Sequence, residues 1–238
     1  MRAFIGALTF TLFAFCFGTK ELFEKYYLNN DPDVPGEMGI TIAFLLDGMK
    51  PEDANLKSDI GEWLEGATEV AQVELTKNLS VQIELEITDV ILAPKDISNK
   101  IEKLKSGNQI PGPTILKLIK KTYNRTLNPD IICLVTKYFI YAGGSRDLLG
   151  YSRYTTLCEE VVPMLLTYNW ETMDDAPKAG MLLSKLITSS LNYINWRSSK
   201  PKEDYFIGLQ HSVLLSIDEY ADYYFVLPLN KDDYYTYN

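Results

Sequence analysis

The chain has 238 residues, 46% of them hydrophobic, enough to bury one sizeable core in one domain or in one domain with a small appendage. Its 32 acidic residues outnumber 23 basic ones, for a formal net charge of −9, which disfavours a nucleic-acid partner and favours solubility. The single histidine, His211, excludes a zinc centre built on several imidazoles, so neither a metal nor another cofactor is expected.

Residues 1–18 read as a signal peptide: Arg2, an uncharged and mainly apolar run from Ala3 to Phe17, and small residues before Thr19. That run is shorter than the ~20 residues a spanning helix needs, and charged sequence follows at once, so secretion without a membrane anchor is expected. Cleavage would remove Arg2 and no acidic residue, moving the charge to −10. It would also remove Cys16 and leave Cys133 and Cys158. In an oxidising compartment these two are expected to form one disulfide; the other reading is a pair of buried free thiols. Asn78-Leu79-Ser80 and Asn124-Arg125-Thr126 are glycosylation sequons, with Asn78 and Asn124 as acceptors.

Residues 19–37, with Pro32, Pro35 and Gly36, predict an extended lead-in. Ile40 to Leu46 is a nearly continuous apolar run ended by Asp47-Gly48, as for a strand buried on both faces of a parallel sheet. From Pro51 to about Lys77 the apolar residues recur at three and four, through Leu56, Ile60, Trp63, Leu64, Ala67, Val70, Ala71 and Val73, predicting a long amphipathic helix. Ser80 to Leu92 alternates, Val81, Ile83, Leu85 and Ile87 against Gln82, Glu84 and Glu86, predicting a strand with one wet face. Helix is expected within 96–123, broken at Ser106-Gly107 and Pro111-Gly112-Pro113. Asp130 to Thr136 is another buried strand, and Gly143-Gly144 is a turn lacking the flanking pattern of a phosphate cradle. Asp174, Asp175 and Pro177 signal the start of a helix whose Ala179, Leu182, Leu183, Leu186, Ile187, Leu191 and Ile194 hold one face for about four turns. The order of strands and helices argues for an α/β sheet with right-handed crossovers. Lys117, Lys120 and Lys121 read as a solvated basic face, and His211 as a surface or partly packed residue.

Several of these strings resemble the reprolysin branch of the metzincin proteases, and the whole chain is similar to the twenty-eight-kilodalton salivary family of metastriate ticks. The strand Ile40–Leu46, the long helix and the strand Ser80–Leu92 resemble the opening of that fold. Gly150-Tyr151 and Cys158-Glu159-Glu160 resemble its edge strand and the segment before its active-site helix. The resemblance implies a twisted mixed sheet of about five strands, long helices and a small C-terminal subdomain, over residues 38–228, with an acidic tail at 229–238. The family's HExxHxxGxxH helix falls on Ala179 to Asn192: Met181, Lys185 and Leu191 stand where the zinc-binding histidines would be, Leu182 in place of the catalytic glutamate, and Thr188 in place of the glycine. Thr188 is expected to let the helix run on, and Met181, Leu182, Leu183, Leu186 and Leu191 to pack into a filled core. Tyr205-Phe206-Ile207 resembles the approach to the Met-turn, with Ile207 where methionine is expected.

The expectation is a secreted, non-catalytic pseudo-metalloprotease that binds a host protein, such as an immunoglobulin or another immune or haemostatic factor. Tyr220, Tyr223, Tyr224, Tyr234, Tyr235 and Tyr237, interleaved with aspartates, are candidate partner contacts, the bland reading being a solvated tail. The alternatives are a small-molecule scavenger using the old cleft and an enzyme with an unrecognised site. Oligomeric state and partner are not legible.

Overall fold

The computed structural model describes residues 38–123, 128–157, 159–202 and 204–206. The expected signal peptide, lead-in, acidic tail, Asn124, Cys158, Ile207, His211 and the six tail tyrosines lie outside the described residues.

The central sheet has five strands: β1 (Met38–Asp47), β2 (Ile83–Leu92), β4 (Ile131–Thr136), β8 (Val162–Thr167) and the two-residue edge strand β7 (Gly150–Tyr151). Their order is β2-β1-β4-β8-β7, parallel except for β7, which runs antiparallel to β8. This is the mixed five-stranded α/β architecture that the sequence predicts. A second sheet, not foreseen, joins β3 (Gln109–Pro111), β5 (Phe139–Ala142) and β6 (Ser145–Leu148). The turn between β5 and β6 is Gly143-Gly144, with φ of 57° and 88°. Glycine reaches those angles without the steric cost a Cβ would add.

Helices cover both faces of the sheet. On one side lie α1 (Asp59–Leu79) and α4 (Ala176–Ser189); on the other lie α2 (Lys95–Leu104) and α3 (Gly112–Thr122). Alternate residues of each buried strand feed the two cores. Ile40, Ile42, Phe44, Cys133 and Met164 face α1 and α4, whereas Ala43, Leu45, Ile132, Leu134 and Leu165 face α2 and α3. That two-sided burial is why Ile40–Leu46 and Ile131–Val135 read as unbroken apolar runs. Among the described residues no helix is long and apolar enough to cross a membrane.

Three boundaries differ from expectation. Pro51 opens a 3-10 turn (Pro51–Asp53), and α1 starts only at Asp59, where Ser58 caps it by accepting from the Gly61 amide at 3.0 Å. Leu56 therefore lies before the helix and is exposed, and Val73, inside α1, faces outward. β2 begins at Ile83, and its pairing with β1 slips between Ile42 and Ala43, so the alternation ends near Thr88 and both Val90 and Ile91 are buried. α4 stops at Ser189 and does not reach Ile194.

β2 is the outer strand, yet two of its outward amides are occupied. The Leu85 N–H donates to Gln72 Oε1 at 2.8 Å and the Ile83 N–H to Thr76 Oγ1 at 3.2 Å, both from α1. At the start of the central strands, Asp130 Oδ2 accepts from both the amide and the hydroxyl of Thr41, at 2.8 and 2.7 Å. Burial raises the pKa of this carboxyl while those hydrogen bonds pull it down.

Cys133 is a free, fully buried thiol in the middle of β4, between Phe44 and Met164 on the neighbouring strands. Its expected partner, Cys158, lies outside the described residues; the Cys133 side chain packs in the core beneath α1 and α4, and burial pushes its pKa up.

α1 and α4 cross closely at Gly180. A Cβ there would lie 2.6 Å from the Ala67 carbonyl oxygen and 2.6 Å from Val70 Cβ. In an isolated helix alanine is preferred to glycine by about 1 kcal/mol, but here the clash is with backbone and must separate the helices. Gly180→Ala is expected to lose about 1–3 kcal/mol of stability, read as a lower midpoint in urea; a gain would show that the crossing is loose.

Candidate functional site

The helix singled out by the sequence, α4, is placed between α1 and the edge strand β7. Its start follows the expected signals: Asp175 is the N-cap, its Oδ1 accepting from the Lys178 amide at 2.8 Å, with Pro177 in the first turn. Its end is set by hydroxyls. Ser189 and Ser190 both donate to the Leu186 carbonyl at 2.8 Å, competing with the continuing ladder, and Asn192 then caps a short helix α5 (Tyr193–Ser198).

The five positions of interest separate onto different sides. Met181, Lys185 and Thr188, at helical spacing, face outward; Met181 is 47% exposed, so its expected packing in the core is wrong. Leu182 is half-buried. Leu191 is buried, but it lies beyond the helix end, where it forms a parallel bridge with Leu157. Leu183 and Leu186 pack as expected.

Leu182 and Leu186 define the seam between helix and edge strand. A Cβ on Gly150 would stand 2.9 Å from Leu182 Cδ2 and 3.1 Å from Leu186 Cδ1, so aliphatic side chains fill the space beside this strand. The next residue, Tyr151, turns to the opposite face, and its ring covers Gly112 at the start of α3. Beyond the seam the strand's continuation is tied to the end of α4. Ser152 Oγ and Ser190 Oγ are 2.8 Å apart, the Leu157 amide donates to the Ser190 carbonyl at 3.0 Å, and Tyr205 Oη donates to the Leu157 carbonyl at 2.9 Å while accepting from the Asn192 amide at 2.8 Å. Glu159 adds a carboxylate whose Oε1 accepts from the side-chain Nδ2 groups of Asn192 and Asn195 at 2.7 and 2.6 Å. Tyr205 and Phe206, read as the approach to a Met-turn, are buried against Trp196.

These contacts offer thioether, aliphatic, ammonium and hydroxyl groups along α4, none of which supplies a carboxylate base. Among the described residues no three His, Cys, Asp or Glu side chains converge where a metal could sit.

The solved structures similar to this chain include two archaemetzincins. The archaemetzincin of Methanopyrus kandleri matches with 13% identity and a TM-score of 0.39, over 76% of this chain and 99% of its own. The archaemetzincin of Archaeoglobus fulgidus, complexed with malonate, matches with 15% identity and a TM-score of 0.30, over 62% of this chain and 73% of its own. No protein-family model and no curated protein matches the sequence.

A second group of polar side chains, missed by sequence reasoning, lies at the carboxyl ends of the parallel strands. Asp47, Thr136 and Thr167 are neighbours in register on β1, β4 and β8, and all are buried. The Thr136 hydroxyl donates to Asp47 Oδ2 at 3.2 Å, and Ser98 of α2 also bonds this carboxyl. Burial raises the Asp47 pKa, opposed by those two hydrogen bonds. Above it Lys105 Nζ lies 2.6 Å from Glu102 Oε2 and donates to Tyr138 Oη at 2.9 Å, and that phenol donates to Glu102 Oε1 at 2.7 Å. The signal available in sequence was Asp47 closing an apolar strand.

Two outcomes are expected. Gly150→Ala should destabilise modestly, since its clash is with flexible side-chain ends, and Leu182→Ala should relieve it; a double-mutant cycle should show coupling of about 0.5–3 kcal/mol, and additivity would mean the seam is open. Because the folded state raises the Asp47 pKa, this group stabilises at low pH and that contribution is lost as pH rises through the folded pKa. Asp47→Asn, which has no charge to desolvate, should therefore gain stability relative to wild type as pH rises, measured by urea unfolding from pH 3 to 7; a difference between the two that does not change with pH would contradict the burial penalty.

Proposed function

We propose that this protein is secreted and non-catalytic, built on a metalloprotease-like frame, and that it acts by binding a host macromolecule, an immune or haemostatic protein being the class in view. One observation carries the reading: Leu182 and Leu186 fill the seam against Gly150, where a protease of this kind would hold a wet cleft beside its catalytic glutamate. Leucine at position 182 cannot take a proton from water, and the ammonium of Lys185 is no ligand for zinc at neutral pH. The scavenger alternative needs an open apolar recess beside α4, and the filled seam counts against it.

The test uses protein from a secretory host, lacking residues 1–18. Zinc by elemental mass spectrometry should be far below one per chain, peptidase activity should be absent, and capture from host plasma should return a saturable partner. Stoichiometric metal removable together with an activity would overturn the non-catalytic reading. A metal-free, inactive protein that retains no partner would overturn the binding reading.

A further inference from the structure

Two loops meet at the carboxyl end of the central sheet, Gly48–Ser58 after β1 and Tyr168–Asp175 after β8. The second is fastened to the helix that the first leads into: Trp63 Nε1, one turn into α1, donates to the Thr172 carbonyl at 2.7 Å, and its ring meets Tyr168 edge-on with centroids 4.9 Å apart. The second loop is rigid in its own right. Thr172 Oγ1 donates to the Thr167 carbonyl at 2.6 Å and accepts from the Asn169 amide at 3.1 Å, and Asn169 Oδ1 accepts from the Glu171 amide at 2.9 Å.

This loop presents Trp170 to solvent, 71% exposed, with the Phe139 ring edge-on to it at 6.3 Å between centroids. Met173 in the same loop is 44% exposed and Leu56 in the facing one 37%. Tryptophan and methionine are enriched at interface centres, and a side chain already held in place loses little freedom on binding.

The surroundings are acidic. Asp53, Asp59 and Asp174 all lie close enough to Tyr168 that, after burial, their charges are what raise its phenol pKa. None of the three is in an ion pair among the described residues; of the nearby cations, Lys50 and Lys178 are matched with Glu52 and Glu171, and Lys57 is the one exposed lysine of these two loops outside the ion pairs described, so the acidic groups outnumber it. Such a field repels anionic membranes and nucleic acid and attracts a basic protein. A small molecule finds little to hold, because the polar groups beneath, Asp47, Thr136 and Thr167, are buried.

We propose that this carboxyl-end surface is the docking site for the partner, with Trp170 and Met173 as its anchor and Asp53, Asp59 and Asp174 as its rim, and that the partner is a protein offering a basic segment around an apolar recess. The inference rests on the binding reading above and assigns it a surface.

The probe is the basic fraction of host plasma, the proteins a cation exchanger retains at neutral pH. Each protein captured by the chain lacking residues 1–18 is purified and titrated against Trp170→Ser/Met173→Ser, against Asp59→Asn/Asp174→Asn, and against Lys121→Ser on the other face. These side chains are solvent-facing, so folding should survive, as checked by Tm. The anchor variant should weaken Kd by roughly 100-fold, as for central hot spots. The rim variant should weaken it several-fold, mainly through slower association, with less dependence on salt; Lys121→Ser should bind as wild type. A partner that binds the anchor variant within about threefold of wild type, or one found only in the non-basic fraction, overturns the surface while leaving the binding reading intact. Capture of nothing by the wild type overturns both.

Discussion

The close crossing of α1 and α4 is the contact on which the arrangement of this molecule turns. Gly180 lets the α4 backbone approach the Ala67 carbonyl. With α4 pinned there, Leu183 and Ile187 enter the core, Leu182 and Leu186 meet Gly150, and Met181 and Lys185 are left outside. A bulkier residue at 180 would move the helix away from α1 and change what faces the edge strand. The division of α4 into a core side, a seam side and a wet side follows from one missing methyl group.

Much of the sheet was legible because burial leaves a plain mark in sequence. Ile40–Leu46, but for Thr41, and Ile131–Val135 are apolar throughout since both faces are covered, and their shortness separates them from a buried helix. The slip near Thr88 was not legible, because a bulge is a relation between two strands and β2 alone does not record where β1 will fall out of step. The start of α1 was misplaced because Pro51 is a good first residue for either a 3-10 turn or a helix, and the hydroxyl of Ser58 decides between them. The second sheet escaped notice for a related reason: β3 and β5 are too short to show a period.

The candidate site was legible in part. The start of α4 and its apolar core side could be read from residue types. The outward turn of Met181 and the stop at Ser189 could not, since the first depends on where α1 lies and the second on hydroxyls that choose the Leu186 carbonyl over solvent. The burial of Cys133 was legible from its place in an unbroken apolar strand. The carboxyl-end loops carry Trp170 and Met173 without periodicity, so nothing short of the fold brings them beside Asp53 and Asp59.

The hydrogen bonds from the Ile83 and Leu85 amides to Thr76 and Gln72 have a bearing on how the protein behaves among its own copies. An outer strand normally offers a row of unmet donors, the template on which a neighbouring chain can add a strand and a fibril can begin. Here the helix above the strand has already answered two of those donors, and the opposite edge, β7, is only two residues long. Sheet growth by addition is thereby discouraged at both ends, so the protein can be concentrated without its central sheet serving as a template for polymerisation.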